Sequence, residues 1–464
     1  MPDHTRWDSI HFFPVLTGQG WYPPSLLRQS SSWEDANYMY VPYTGTRFSL
    51  LQIDRSDPFN VSKAILAKTA GATNTWPRRI MGLHIYNNYI YVSCVMGVFP
   101  NDYNYVLVID PSTWNVIAEK RIATSMAIWL QSAHGVGNKL YGFYDDGTHP
   151  ILTLNLDTWV FDDQCDLQRN GVNIAHWNKM FQASDHGVHG KALYVKTYDT
   201  VNDEIFLARL DSSMAVEAYL ALPYTGGADG YTIATWDVDE DFVYACGEIK
   251  EGGVTRSALF KLNRLDLSVA KAIKFTAAGD SLYYLMAGIN KIVITGGYPI
   301  TGIWTFDKNL NMLTADGNVS QCISHSPQTG NIPAAVAFLD GAAEEELLIM
   351  NLLGGKGPYF VKFKVTEKPW CTNRITVPWN QYSTMAEEPY RAYTEVVVTP
   401  SASVLTSVTS AFVLGVSNTA QVLSPVDTEV PTPLKTDDCH RFWPPVVVPS
   451  FPINKAYALS REEL

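Results

Sequence analysis

The sequence lacks several things that would have named a chemistry. No C-x-x-C pair occurs, and the six cysteines (94, 165, 246, 322, 371 and 439) lie far apart, so they read as reduced, buried thiols rather than as disulfides or a zinc site. There is no run of about 18 apolar residues, so no transmembrane helix is expected. The first ten residues, MPDHTRWDSI, have no basic stretch leading into an apolar one, so no secretory signal is expected. Gly-x-Ser-x-Gly, the P-loop and the dinucleotide fingerprint are all missing, which removes support from serine-hydrolase and nucleotide-dependent classes. Clustered Lys/Arg is missing too. The 464 residues carry a formal net charge of -12, which argues against nucleic acid as the main partner, because neutralising phosphates needs basic patches. Helical periodicity is almost absent.

What remains is apolar, aromatic and periodic. Hydrophobic residues make up 46% of the chain, with 25 Tyr and 13 Trp, a composition suited to pleated, half-buried surfaces. Residues 104–122, NYVLVIDPSTWNVIAEKRI, read as a strand ending at Asp110, a Pro-Ser-Thr turn and a second strand. That pattern recurs. Strands of the type YMYVP (38–42), IYVSC (90–94), LYGFY (140–144), LYVKT (193–197), VYACG (243–247), IVITG (292–296) and LLIMN (347–351) are each followed by a strand closing on Asp54, Asp110, Asp157, Asp211, Asn263, Asp307 or Lys364. The closing residues fall about 52 positions apart on average. Seven such units predict an all-β fold, a seven-bladed β-propeller of four-stranded blades, with six or eight blades as alternatives. Small-residue segments before each unit would be the innermost strands, and more charged segments such as NVIAEKRI the outer ones.

The organisation expected is a strap at 1–37, the propeller at 38–379, and a C-terminal arm of Val/Ser/Thr-rich strands and Pro-rich stretches at 380–464. Ring closure is expected between residues 10–16 or 38–54 and a strand near 374–379. The arm is expected to lie on a neighbouring subunit or on its own propeller.

The segment YVLVIDPSTWNVIAEKRI resembles the repeat of YVTN-type propellers and, more broadly, of WD40-like repeat proteins, although the Gly-His and Trp-Asp signatures of WD40 blades are absent. The resemblance implies architecture only. In organisation, a large propeller extended by Ser/Thr/Val strands and a Pro-rich arm resembles tail proteins of tailed bacteriophages.

Candidate chemistry is sparse. Trp76, Trp129, Trp177 and Trp236 fall beside inner strands and could stack on a ligand at the channel mouth, or simply fill the core. His186 and His189 are possible metal ligands. Asp237, Asp239 and Asp241 alternate as in a calcium loop, but the mid-loop Gly and distal Glu are missing. No cofactor is expected, calcium being the one candidate.

The reading that follows is a non-enzymatic structural protein of a multi-subunit assembly, and within that class a phage tail nozzle, baseplate or adhesion component. It would be located in the virion or otherwise in the cytoplasm. Its partners would be other protein subunits, held through residues 394–464, in a homo-oligomer without membrane or sequence-specific nucleic-acid contacts. The alternative is a ligand- or glycan-binding or enzymatic propeller with its site at the axial mouth.

Overall fold

The computed structural model describes residues 5–12, 38–44, 48–54, 61–67, 77–96, 103–113, 115–122, 131–143, 151–174, 183–185, 193–224, 229–276, 282–288, 290–296, 302–317, 335–338, 346–353, 357–365, 393–411, 427–429 and 436–437. All regular elements among the described residues are β-strands, and the fold is an all-β propeller. Five sheets are complete meanders of four consecutive antiparallel strands. Blade 1 spans Pro77–Tyr86 to Asn115–Ile122, blade 2 Gln131–Val136 to Val160–Arg169, and blade 3 Ala183–Asp185 to Val216–Pro223. Blade 4 runs from Gly230–Val238 to Val269–Phe275 and blade 5 from Leu282–Ala287 to Met312–Gly317.

The expectation of seven like blades is therefore corrected: among the described residues five have the full form, and the first and last repeats enter composite sheets. The leading sheet joins Tyr38–Thr44, Phe48–Asp54 and Val61–Ala67 to Asp427–Glu429. The closing sheet joins Ala335–Phe338, Glu346–Leu353 and Gly357–Val365 to Thr5–Phe12 and Thr436–Asp437. Closure was expected near 374–379, which lie outside the described residues. The partner of the N-terminal segment is instead Gly357–Val365, paired antiparallel with Thr5–Phe12. The strap thus contributes a ladder strand, because a three-stranded last sheet would leave its edge unpaired.

The same turn chemistry shapes four of the five full blades. Asp110 Oδ1 accepts the Ser112 amide at 2.8 Å. Asp211 Oδ1 accepts the Ser213 and Ala215 amides at 2.8 and 2.9 Å, and Asp307 Oδ1 those of Asn309 and Asn311, both at 2.8 Å. Asn155 does the same for Asp157 and Thr158. These side chains replace backbone turn partners. Each of four turns then places an apolar residue in the left-handed region: Trp159, Met214, Leu267 and Leu310, with φ of 59°, 65°, 56° and 59°. Met214, Leu267 and Leu310 are fully buried, so core packing offsets the unfavourable backbone. A bulge follows in the outer strand of blades 1, 3, 4 and 5, where pairing skips one residue (Ile117, Glu217, Ala270 and Leu313).

The cores lie between blades. Alternation sends Leu193 and Val195 toward blade 2, where they meet Tyr141, Ile151 and Leu167, while Tyr194 packs with Ile233 and Trp236 of blade 4. Tyr244, Cys246 and Leu259 of blade 4 pack with Leu285, Ile294 and Trp304 of blade 5. No blade buries both faces alone; each is closed by its neighbour.

The C-terminal arm follows a defined course. Tyr393–Glu395 adds to the outer strand of blade 4, Leu405–Ala411 to that of blade 2, Asp427–Glu429 to the leading sheet and Thr436–Asp437 to the closing sheet. The arm runs around the rim against the order in which the chain built the blades.

Candidate functional site

The carboxylates that suggested a calcium loop are turned to other work. Asp237 Oδ1 accepts the Val238 amide at 2.9 Å, and its Oδ2 accepts the Ala287 amide of blade 5 at 2.8 Å. Asp239 Oδ1 accepts the Asp241 and Phe242 amides at 3.0 and 2.8 Å, while its Oδ2 pairs with Lys308 Nζ at 2.7 Å. Burial alone would raise the Asp239 pKa. The Lys308 ammonium and the two amides outweigh it and hold the carboxyl below its ordinary value. Asp241 is exposed at the turn. The three residues therefore do not converge on a cation, and no group of three or more His, Cys, Asp or Glu that could hold a metal occurs among the described residues. Asp237 and Asp239 tie blade 4 to blade 5.

Trp236 is fully buried between blades 3 and 4. It is corrected from a mouth residue to a core residue, since a large apolar ring on an inward strand position gains most by leaving water. Trp76, Trp129, Trp177, His186 and His189 lie outside the described residues.

Other polar groups also bridge blades. Tyr86 donates to Asp157 Oδ1 at 2.9 Å, joining blades 1 and 2, and Asn138 donates to Asp157 Oδ2 at 2.8 Å. The Lys196 ammonium is buried and donates to the carbonyls of Ile233 and Ala234 at 2.7 and 3.2 Å, where the inner strand of blade 4 bulges. His84, also buried, contacts the Gly137 carbonyl through Nε2 at 2.9 Å, and burial lowers its pKa.

The most developed polar site is one that sequence reasoning missed. Arg169 ends the outer strand of blade 2, and Asp199 and Glu204 flank a hairpin of blade 3. Arg169 Nε donates to Glu204 Oε2 and lies 3.7 Å from Asp199 Oδ2. Ser403 of the arm brings its hydroxyl to 2.7 Å from both Glu204 oxygens, and Glu204, Asp199 and Ser403 are all buried. Asn170 receives the Val404 amide on its side chain at 2.9 Å and gives its own amide to the Val404 carbonyl at 2.8 Å. Next along the arm, Leu405 is 2% exposed and enters the core of blades 2 and 3 beside Leu167, Val195 and Phe206. Ser407 Oγ accepts the Val216 amide at 3.1 Å, and Thr409 donates to the Ser213 carbonyl at 3.2 Å. Alternate residues 403, 405, 407 and 409 thus fill a seam between two blades, while main-chain pairing runs from Asp163↔Ala411 to Arg169↔Leu405. This is strand addition with side-chain pockets, a binding mode suited to a peptide segment. A weak sequence signal existed: residues 396–426 hold no charged side chain in a chain that is 17% charged.

No protein-family model matches the chain, and no curated protein matches its sequence. Solved structures similar to it include the Cps50 (Swd1) β-propeller domain of Myceliophteria thermophila, at 8% identity and TM-score 0.43, covering 79% of this chain and all of that one. The WD40 β-propeller domain of Doa1 is 8% identical, with TM-score 0.40, over 75% of this chain and 98% of that one. Dihydro-heme d1 dehydrogenase NirN in complex with DHE is 11% identical, with TM-score 0.40, over 84% of this chain and 80% of that one. With five complete blades and two composite sheets in sequence order among the described residues, the chain has a β-propeller fold.

Proposed function

We propose that this propeller is a non-enzymatic structural and interaction subunit of a multi-subunit assembly, and specifically a component of a bacteriophage tail. The observation that carries the first part is the arm. A long C-terminal segment is committed to edge strands on blade 4, blade 2 and both composite sheets, and this braces the ring where blades diverge. Polar side chains of the described region support the same reading, since Asp110, Asp157, Asp211, Asp237, Asp239, Glu204 and Asp307 all accept hydrogen bonds within turns or between blades. The tail assignment rests on organisation: a large propeller with an uncharged, Ser/Thr/Val-rich extension and a Pro-rich end.

Mass spectrometry of purified particles from the source, with light-scattering mass measurement of the isolated protein, tests both parts. The expected result is the protein in tail-bearing particles at fixed stoichiometry. A protein that stays monomeric and is missing from particles overturns the proposal.

A further inference from the structure

We propose that the arm is exchangeable: in the assembly, residues 403–411 of one copy dock in the blade 2–blade 3 seam of a second copy. The inference rests on the assembly reading above. Three observations support it. First, the seam is a shaped receptor. It offers the outer edge of Val160–Arg169, along which the arm pairs, a core pocket for Leu405, and Glu204, Val216 and Ser213 groups that meet Ser403, Ser407 and Thr409. Every copy of the chain carries the segment that meets this pattern, so a second copy's arm presents the same groups to the seam. Second, residues 366–392 connect the last propeller strand, ending at Val365, to the arm strand that starts at Tyr393. Fully extended, that connector reaches about 90 Å, so its covalent length lets the arm, Tyr393–Glu395 included, leave its own ring. Third, the docking stretch carries no charge in a chain of net charge -12, so a second copy's arm approaches the seam without adding like charge to it. The contacts made within one chain and between two are then the same, and the balance is set by concentration and by the connector.

Gln164 and Ser410 face each other across the pairing, with Gln164 Nε2 3.1 Å from Ser410 Oγ, and they provide the test. Full-length chains carrying Gln164→Cys alone and Ser410→Cys alone, with different tags, are co-expressed and oxidised. A chain carrying both substitutions serves as the reference, and the unsubstituted chain controls for native thiols. Exchange gives a disulfide-linked dimer of the two tagged chains. Adding Leu405→Asp to the Ser410→Cys chain lowers its yield at least tenfold. If the reference chain cross-links internally and the mixed chains give no dimer at any concentration, exchange is overturned. If the reference chain does not cross-link either, the strand pairing is wrong and the proposal falls with it. Particles that contain the protein but no mixed dimer would leave the assembly reading standing without exchange.

Discussion

Ser403 places its hydroxyl 2.7 Å from both carboxylate oxygens of Glu204, a residue 199 positions earlier in the chain. Glu204 is held from its other side by Arg169. Blade 2, blade 3 and the arm meet at this carboxylate, so each partner reports on the other two. Ser403→Ala leaves part of a buried, charged acceptor unpaired and should destabilise the protein by roughly 1.5–3 kcal/mol. Urea unfolding checks the figure, and an unchanged midpoint would mean that the arm is not held here.

Acid should loosen the same junction. Burial works to raise the Glu204 pKa, but hydrogen bonds from Arg169 and Ser403 outweigh it, leaving the carboxyl below the ordinary value of 4.5. A carboxyl lowered on folding adds stability that is complete above its unfolded pKa and is lost as pH falls through the folded one. Stability should therefore be insensitive to Glu204 above about pH 5 and fall progressively below it. Glu204→Gln should be less stable at pH 7 and show a shallower acid slope. Denaturation midpoints at several pH values compare the two proteins, and parallel curves would count against the assignment.

Cys165 offers a chemical readout of the arm. It lies in the outer strand of blade 2, opposite Thr409, fully buried, and burial pushes its thiol up to about 12. Thiolate is the reactive form, so the residue should resist alkylation at pH 8 while the arm is docked. Leu405→Asp should increase labelling of this cysteine at least tenfold, scored by peptide mass spectrometry. Equal rates in the two proteins would show that the arm does not shield it.

Gly247 marks a place where two strands approach too closely for any side chain. A Cβ there would stand 1.9 Å from the Thr232 carbonyl oxygen, beside the bulge between Ile233 and Thr235. Gly247→Ala should destabilise by about 3 kcal/mol or more, because backbone, not a flexible side-chain end, must move. Trp236→Ala should cost a similar amount, about 3–5 kcal/mol, through the cavity it opens. Thermal melts of both variants decide these points.

The sequence made the blade unit readable because its signal is local. Strands of period two end on an Asp or Asn that caps its own turn, as Asp110, Asp211 and Asp307 do. It could not show where the arm goes. Main-chain pairing along Val160–Arg169 carries little side-chain code, and Leu405 in SVLTSVTSA looks like any strand leucine. The Glu204 junction was equally hidden, since its members come from residues 169, 199, 204 and 403 and no spacing links them. Trp236 could be read as a ligand platform or as core, because a position beside an inner strand does not say which face the ring takes.

The pairing of Thr5–Phe12 between Gly357–Val365 and Thr436–Asp437 has a consequence for biosynthesis. Thr5–Phe12 is synthesised before the five complete blades, and its two neighbours only after them. Its edges stay unmatched while the blades between are made, so the closing sheet is assembled after the blades it joins. A nascent chain truncated before residue 357 is left without the partner that pairs most of Thr5–Phe12.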